Sequence, residues 1–185
     1  MKLPFFAVVS SAVAGAALLT ACGTATQAVP KTAAVPANLV PQGERAVFTW
    51  PAKGVQIYEC KAAAAGAASP APAWAFVAPE AELFNAKGEK VGTHGAGPYW
   101  QHNDGSRIVG KVKERADAPA AGAIPWLLLT AASQGSAGVL AQVTSVQRVA
   151  TVGGVAPAAG CAAAADVGKQ ARVPYTADYV YFVKS

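Results

Sequence analysis

Ala81-Glu82-Leu83-Phe84-Asn85-Ala86-Lys87-Gly88-Glu89-Lys90-Val91-Gly92-Thr93-His94 decides the fold. Two short runs, 81–84 and 89–94, flank Asn85-Ala86-Lys87-Gly88, a connection whose glycine marks a hairpin turn. The chain then runs through Gly95-Ala96-Gly97-Pro98, a loop, into Tyr99-Trp100-Gln101-His102-Asn103, a short strand ending at the preferred turn pair Asp104-Gly105. Residues 107–113 return, with Ile108 and Val112 on one face and Arg107, Lys111 and Lys113 largely on the other, as a half-wet strand requires.

The same grammar extends both ways. Upstream, 44–50 reads as a strand and Pro51-Ala52-Lys53-Gly54 as a turn. In 55–60, Val55, Ile57 and Glu59 alternate with Gln56, Tyr58 and Cys60. Residues 62–73 form a low-complexity Ala/Pro/Gly loop, and 74–77 a short strand. Downstream, 125–130 is almost continuously apolar, as in a strand covered on both faces. Residues 139–149 read as the longest strand, 153–168 as a loop and 179–183 as a terminal aromatic strand after Val173-Pro174-Tyr175. The expectation is an all-β domain: one antiparallel β-sandwich or barrel of eight or nine short strands. An α+β domain with a short helix around 162–167 is the main alternative.

The 185 residues are 53% hydrophobic and 14% charged, which excludes a wholly disordered chain. The net charge is +5, one unit of it from Lys2, and the basic residues are scattered except between Arg107 and Arg115. No aromatic–basic motif accompanies them, so nucleic acid is not an expected partner.

The N-terminus carries Lys2 and then an apolar run, 5–19, too short for a comfortable membrane span. Leu19-Thr20-Ala21-Cys22 follows and resembles the bacterial lipobox. The resemblance implies cleavage before Cys22, lipid on that cysteine, and a membrane partner through the lipid. Gly23 in the next position implies outer-membrane sorting, with the domain facing the periplasm or cell surface. Ordinary secretion, giving a soluble periplasmic or secreted chain, is the alternative. The expected organisation is a signal at 1–21, a Pro-punctuated tether at 22–41 and the β domain at 42–185. Lipidation of Cys22 leaves Cys60 and Cys161, which in an oxidising compartment are expected to pair; two free buried thiols are the alternative. The bond would close a loop of about 100 residues, worth up to about 4–5 kcal/mol in the chain-entropy model.

Both histidines, His94 and His102, stand in 91–106 with Asp104. Two imidazoles and a carboxylate suit a divalent metal or an acid–base pair, so the three are the candidate catalytic residues, but no metal is assigned and no cofactor is required by the sequence. Asp104 has a simpler use in its turn. No serine sits in a G-x-S-x-G elbow. Tyr99 and Trp100 are the candidate ligand-binding residues for a small molecule or glycan; being adjacent, one should face outward, and that one is the better candidate. Arg148 and Asp178 would pair across the last strands. A binding or structural role in the envelope is favoured over an enzyme.

Four motifs taken together, Gly54-Val55-Gln56-Ile57-Tyr58-Glu59-Cys60, Ile124-Pro125-Trp126-Leu127-Leu128-Leu129, Val146-Gln147-Arg148-Val149-Ala150-Thr151-Val152-Gly153-Gly154 and Val173-Pro174-Tyr175-Thr176-Ala177-Asp178-Tyr179, resemble a family of exported bacterial and fungal proteins known as a domain of unknown function. The resemblance implies a common fold and a secreted setting, and no activity. Some fungal relatives carry a malate-dehydrogenase label, but here no G-x-G-x-x-G opens a helix within a βαβ unit.

Overall fold

The computed structural model describes residues 33–63, 71–135 and 137–185. The signal, Cys22 and most of the tether lie outside the described residues, as does much of the 62–73 loop. Eight antiparallel strands, β1 (Glu44–Lys61), β2 (Ala73–Phe84), β3 (Lys90–Gly95), β4 (Tyr99–His102), β5 (Arg107–Ala116), β6 (Trp126–Ser133), β7 (Ser145–Gly153) and β8 (Gln170–Lys184), pair in sequence order. β8 then pairs with β1 and closes the barrel, so no sheet edge is left open around the ring. No helix among the described residues is long and apolar enough to cross a membrane.

Alternation decides what faces inward. Trp50, Ala52, Gln56 and Tyr58 on β1 are buried, while Val55, Ile57 and Glu59 are only partly so. Leu127 and Leu129 on β6 face the core with Val146 on β7 and Tyr175, Ala177, Tyr179 and Tyr181 on β8. The other face of β6 is buried too. Trp126 and Leu128 join Val149 under Leu39, which sits in a single 3-10 turn, Ala37–Leu39, laid across the outside of the barrel. Gln147 donates from Nε2 to the Leu39 carbonyl at 2.7 Å, which satisfies a polar group buried under that strap. Packed chain thus begins before residue 42, and the apolar run at 125–130 is covered on both faces.

Four sequence readings need correcting. The strands are longer than expected, because β1, β2 and β8 run straight through Pro51, Pro79 and Pro174. Each proline sits where one neighbouring strand has ended: β2 pairs with β1 only from Ala52, β3 pairs with β2 only from Ala81, and β7 pairing with β8 stops at Tyr175. A proline lacking its N–H is tolerated at such a half-edge. The stretch 139–144 is not strand. It turns back, with Ala141 N bonded to Gly138 O and Val143 N to Leu140 O, so that Leu140 and Val143 plug one end of the core. In place of a helix around 162–167 there is one 3-10 turn, Ala164–Asp166. Arg148 does not pair with Asp178, because Val149 is the residue opposite Asp178 and Arg148 lies opposite Tyr179.

Cys60 and Cys161 form a disulfide, with Cα atoms 5.5 Å apart. It ties the end of β1 to the long β7–β8 connection. Trp74 Nε1 donates to Ala159 O at 3.1 Å and Tyr58 Oη to Gly154 O at 2.6 Å, so that connection is pinned at three points.

Candidate ligand-binding site

The meander places the β3–β4, β5–β6 and β7–β8 connections at one end of the barrel and the β2–β3, β4–β5 and β6–β7 connections at the other. The second end is the plugged one. There Asp104 works as a clip. Its Oδ1 accepts from the Ser106 backbone N–H at 2.8 Å and the Ser106 hydroxyl at 2.6 Å, and its Oδ2 from Val139 N at 2.8 Å. Ser106 Oγ in turn accepts from Leu140 N at 3.2 Å, which holds the plug in place. The Ser106 hydroxyl, then the Val139 and Ser106 amides, hold the Asp104 carboxyl well below the usual carboxylate range. His102 Nδ1 approaches Asp104 Oδ1 at 3.1 Å, and its ring stacks on Trp50 with centroids 5.2 Å apart.

His94 belongs to a different group. It lies opposite Trp100 in the β3–β4 ladder, whereas His102 lies opposite Gly92. The His94 ring stacks on Trp100 at 4.6 Å and packs against Tyr179 at 4.9 Å. The structure therefore brings His102 and Asp104 together and gives His94 separate partners. Among the described residues no three His, Cys, Asp or Glu side chains gather as a metal-ligand set. His94 Nδ1 is 2.7 Å from the Tyr99 carbonyl. A carbonyl can only accept, so Nδ1 carries the proton and Nε2 is the acceptor. Burial pushes the imidazole from its ordinary 6.5 down to about 3; the Tyr99 hydrogen bond opposes this and the nearby Arg148 charge adds to it. His94 is thus a neutral ring at physiological pH.

The end opposite the plug is hollow. A cavity of about 310 Å³ lies against His94, Trp100, Tyr179, Leu127 and Leu129, with Phe76, Val77 and Pro79 from β2 and Val112 from β5 around it. A wider hollow of about 690 Å³ is lined by Gln56, Tyr58, Ile124 and the β5–β6 connection, and shares Phe76, Val112, Leu127 and Arg148 with the first. Phe76 and Val112 are 55% and 51% exposed, large apolar side chains standing on the rim of an apolar hole. A hollow of this size, mostly apolar with a few polar groups, has the form of a small-molecule site. Eight-stranded barrels are wide enough to fill with side chains or to hold one small ligand. Glycine makes the room here: a Cβ on Gly110 would fall 2.7 Å from the Trp100 ring, and one on Gly154 2.9 Å from Tyr175.

Of the two ligand-binding candidates, Trp100 is 1% exposed and lines the cavity, while Tyr99 faces the opposite way under the Arg107 guanidinium, 3.9 Å above its ring. Sequence reasoning missed Tyr58, Phe76, Leu127 and Tyr179, and misplaced Arg148. The signal was present: Arg148 is two residues from Val146, in phase with the inward row, and Tyr175, Ala177, Tyr179 and Tyr181 keep that phase on β8. The Arg148 Nε and Nη2 atoms donate to Pro125 O at 3.1 and 2.8 Å, which fixes the plane of the guanidinium at the cavity wall.

No curated protein and no solved structure matches the chain. One family does, described as "Protein of unknown function (DUF3455)", over residues 41–183. That span takes in all eight strands but for the last residue of β8, and every cavity residue, and the chain belongs to this DUF3455 family.

Proposed function

We propose that this chain is an exported envelope protein, anchored through lipid on Cys22, whose barrel holds a small, mainly apolar ligand. The observation that carries the binding reading is the cavity at the unplugged end, walled by Trp100, Tyr179, Leu127 and Leu129 and rimmed by exposed Phe76 and Val112. The disulfide fits an oxidising compartment. The lipobox-like Leu19-Thr20-Ala21-Cys22 supports the anchor, and Gly23 supports the outer membrane as the address. Binding is favoured over acid–base catalysis because the Asp104 oxygens are engaged in the turn and His94 stands apart from them.

Titration of the mature chain with the neutral apolar dye 1-aminoanthracene tests this. One saturable site with enhanced, blue-shifted emission is expected. Val112→Trp, which adds bulk at the rim on an exposed strand position, should abolish the site while leaving the circular dichroism spectrum unchanged. Absence of a saturable site, or dye binding untouched in Val112→Trp, overturns the reading.

A further inference from the structure

We propose that the ligand is an apolar monocarboxylate, its carboxylate seated on Arg148 and its hydrocarbon body against Trp100 and Leu127. This rests on the cavity being a ligand site. β7 places Arg148 in the inward row, with Leu127 of β6 on one side and Tyr179 of β8 on the other. Two of its five N–H donors are spent on the Pro125 carbonyl and another faces the neutral Tyr179 hydroxyl, which holds the guanidinium rigid and leaves donors for a ligand. Among the described residues no carboxylate forms an ion pair with it.

The surroundings supply no counter-charge from within. Tyr58, Tyr175 and Tyr179 all lie within reach of the Arg148 charge, yet burial raises each hydroxyl above its ordinary pKa, so they stay neutral. His94 is neutral as well. Among the described residues Asp117 is the one acidic residue lining the two hollows, and the Arg115 charge on the same wall offsets it. The hollow therefore carries one uncompensated positive charge. A cation partly removed from water without a partner is unfavourable, and an incoming anion relieves it. A planar guanidinium matches a carboxylate through two parallel hydrogen bonds. A single cation in an apolar setting suits a monoanion better than a phosphate, which would ask for more donors than the cavity offers. The aromatic wall and the open rim admit either a straight-chain or an aromatic acid.

Isothermal titration of the full mature chain separates these possibilities. The probes are octanoate, 3-phenylpropanoate, 1-octanol, octylamine and octyl phosphate, with wild type and Arg148→Met. Octanoate or 3-phenylpropanoate should bind wild type about 10- to 100-fold more tightly than 1-octanol, the range expected for hydrogen bonds to a charged group. Whichever acid binds better identifies the body as a chain or a ring. Octylamine should bind worst. In Arg148→Met the acid should fall to the affinity of the alcohol, and retained alcohol binding shows that the variant is folded. If Arg148→Met does not fold, the acid-to-alcohol ratio in wild type decides the matter alone. Equal binding of octanol and octanoate, or tighter binding of octyl phosphate, overturns the carboxylate assignment and leaves the cavity reading standing. Failure of every probe, together with 1-aminoanthracene, overturns both.

Discussion

His94 makes stability depend on pH in a defined direction. In the unfolded chain its imidazole takes a proton near 6.5, whereas in the folded barrel burial holds it down to about 3. Between those values the unfolded state binds a proton that the native state refuses. Stability is therefore fully retained above the unfolded value and is lost as pH falls through the window. Each unit of difference is worth about 1.4 kcal/mol, so about 2 kcal/mol is lost by pH 5 and about 4 kcal/mol by pH 3. The side chain is only 3% exposed, so water does little to soften the effect. A loss of that size is a large share of the ~5–15 kcal/mol that holds a domain together.

Urea unfolding at pH 8, 7, 6 and 5, on wild type and His94→Gln, isolates it. Glutamine can still donate to the Tyr99 carbonyl but does not titrate. The contribution from Asp178, whose carboxyl burial raises, is common to both proteins and cancels in the difference. Wild type should lose about 2 kcal/mol more than the variant between pH 8 and pH 5. Parallel curves, or an imidazole resonance of His94 titrating above pH 6, would refute the reasoning.

Three further outcomes are expected. Breaking the disulfide with Cys60→Ser and Cys161→Ser together should cost about 2–5 kcal/mol in urea unfolding, since it closes a loop of about 100 residues, and should loosen the β7–β8 connection to proteolysis; unchanged midpoints would argue against the bond. Ser106→Ala removes a buried hydroxyl that donates to Asp104 and accepts from Leu140, and should cost about 1–3 kcal/mol, with faster amide exchange at Leu140 as the local readout. Cys22→Ser should release the protein from membranes in cell fractionation and remove the acyl mass from the mature chain; unaltered mass and partitioning would disprove the anchor.

How far the sequence reveals these features varies by element. β6 is legible because Trp126, Leu127, Leu128 and Leu129 are covered on both sides, and a run without alternation says so directly. The turn at Asp104-Gly105 is legible because the chemistry of a turn is local. Pro51, Pro79 and Pro174 mislead, since whether a proline breaks a strand depends on where the neighbouring strand ends, and that is a property of the closed ring. The stretch 139–144 misleads for a related reason: its valines and leucine have strand character, but Asp104 and Ser106, about 35 residues upstream, capture its amides and turn it into a plug. The cavity is the least legible feature. Its wall is drawn from seven strands, and only the register brings Arg148, Tyr179 and Leu127 side by side. Histidine and aspartate close in sequence attract attention as a site, yet here they serve the turn, while His94, eight residues from His102, serves the hollow.

The central claim is that the unplugged end of the barrel binds a ligand, and nuclear magnetic resonance on the isotope-labelled mature chain tests it residue by residue. With 1-aminoanthracene, octanoate and 3-phenylpropanoate added in turn, the Trp100 indole, the His94 imidazole nitrogens and the Leu127 and Leu129 methyls should shift together and saturate at one equivalent, and with the acids the Arg148 guanidinium should shift with them. Trp126 and Leu128, on the outer face of the same strand, should stay still. Movement confined to the outer face, or no saturable movement at the cavity residues, would contradict the account.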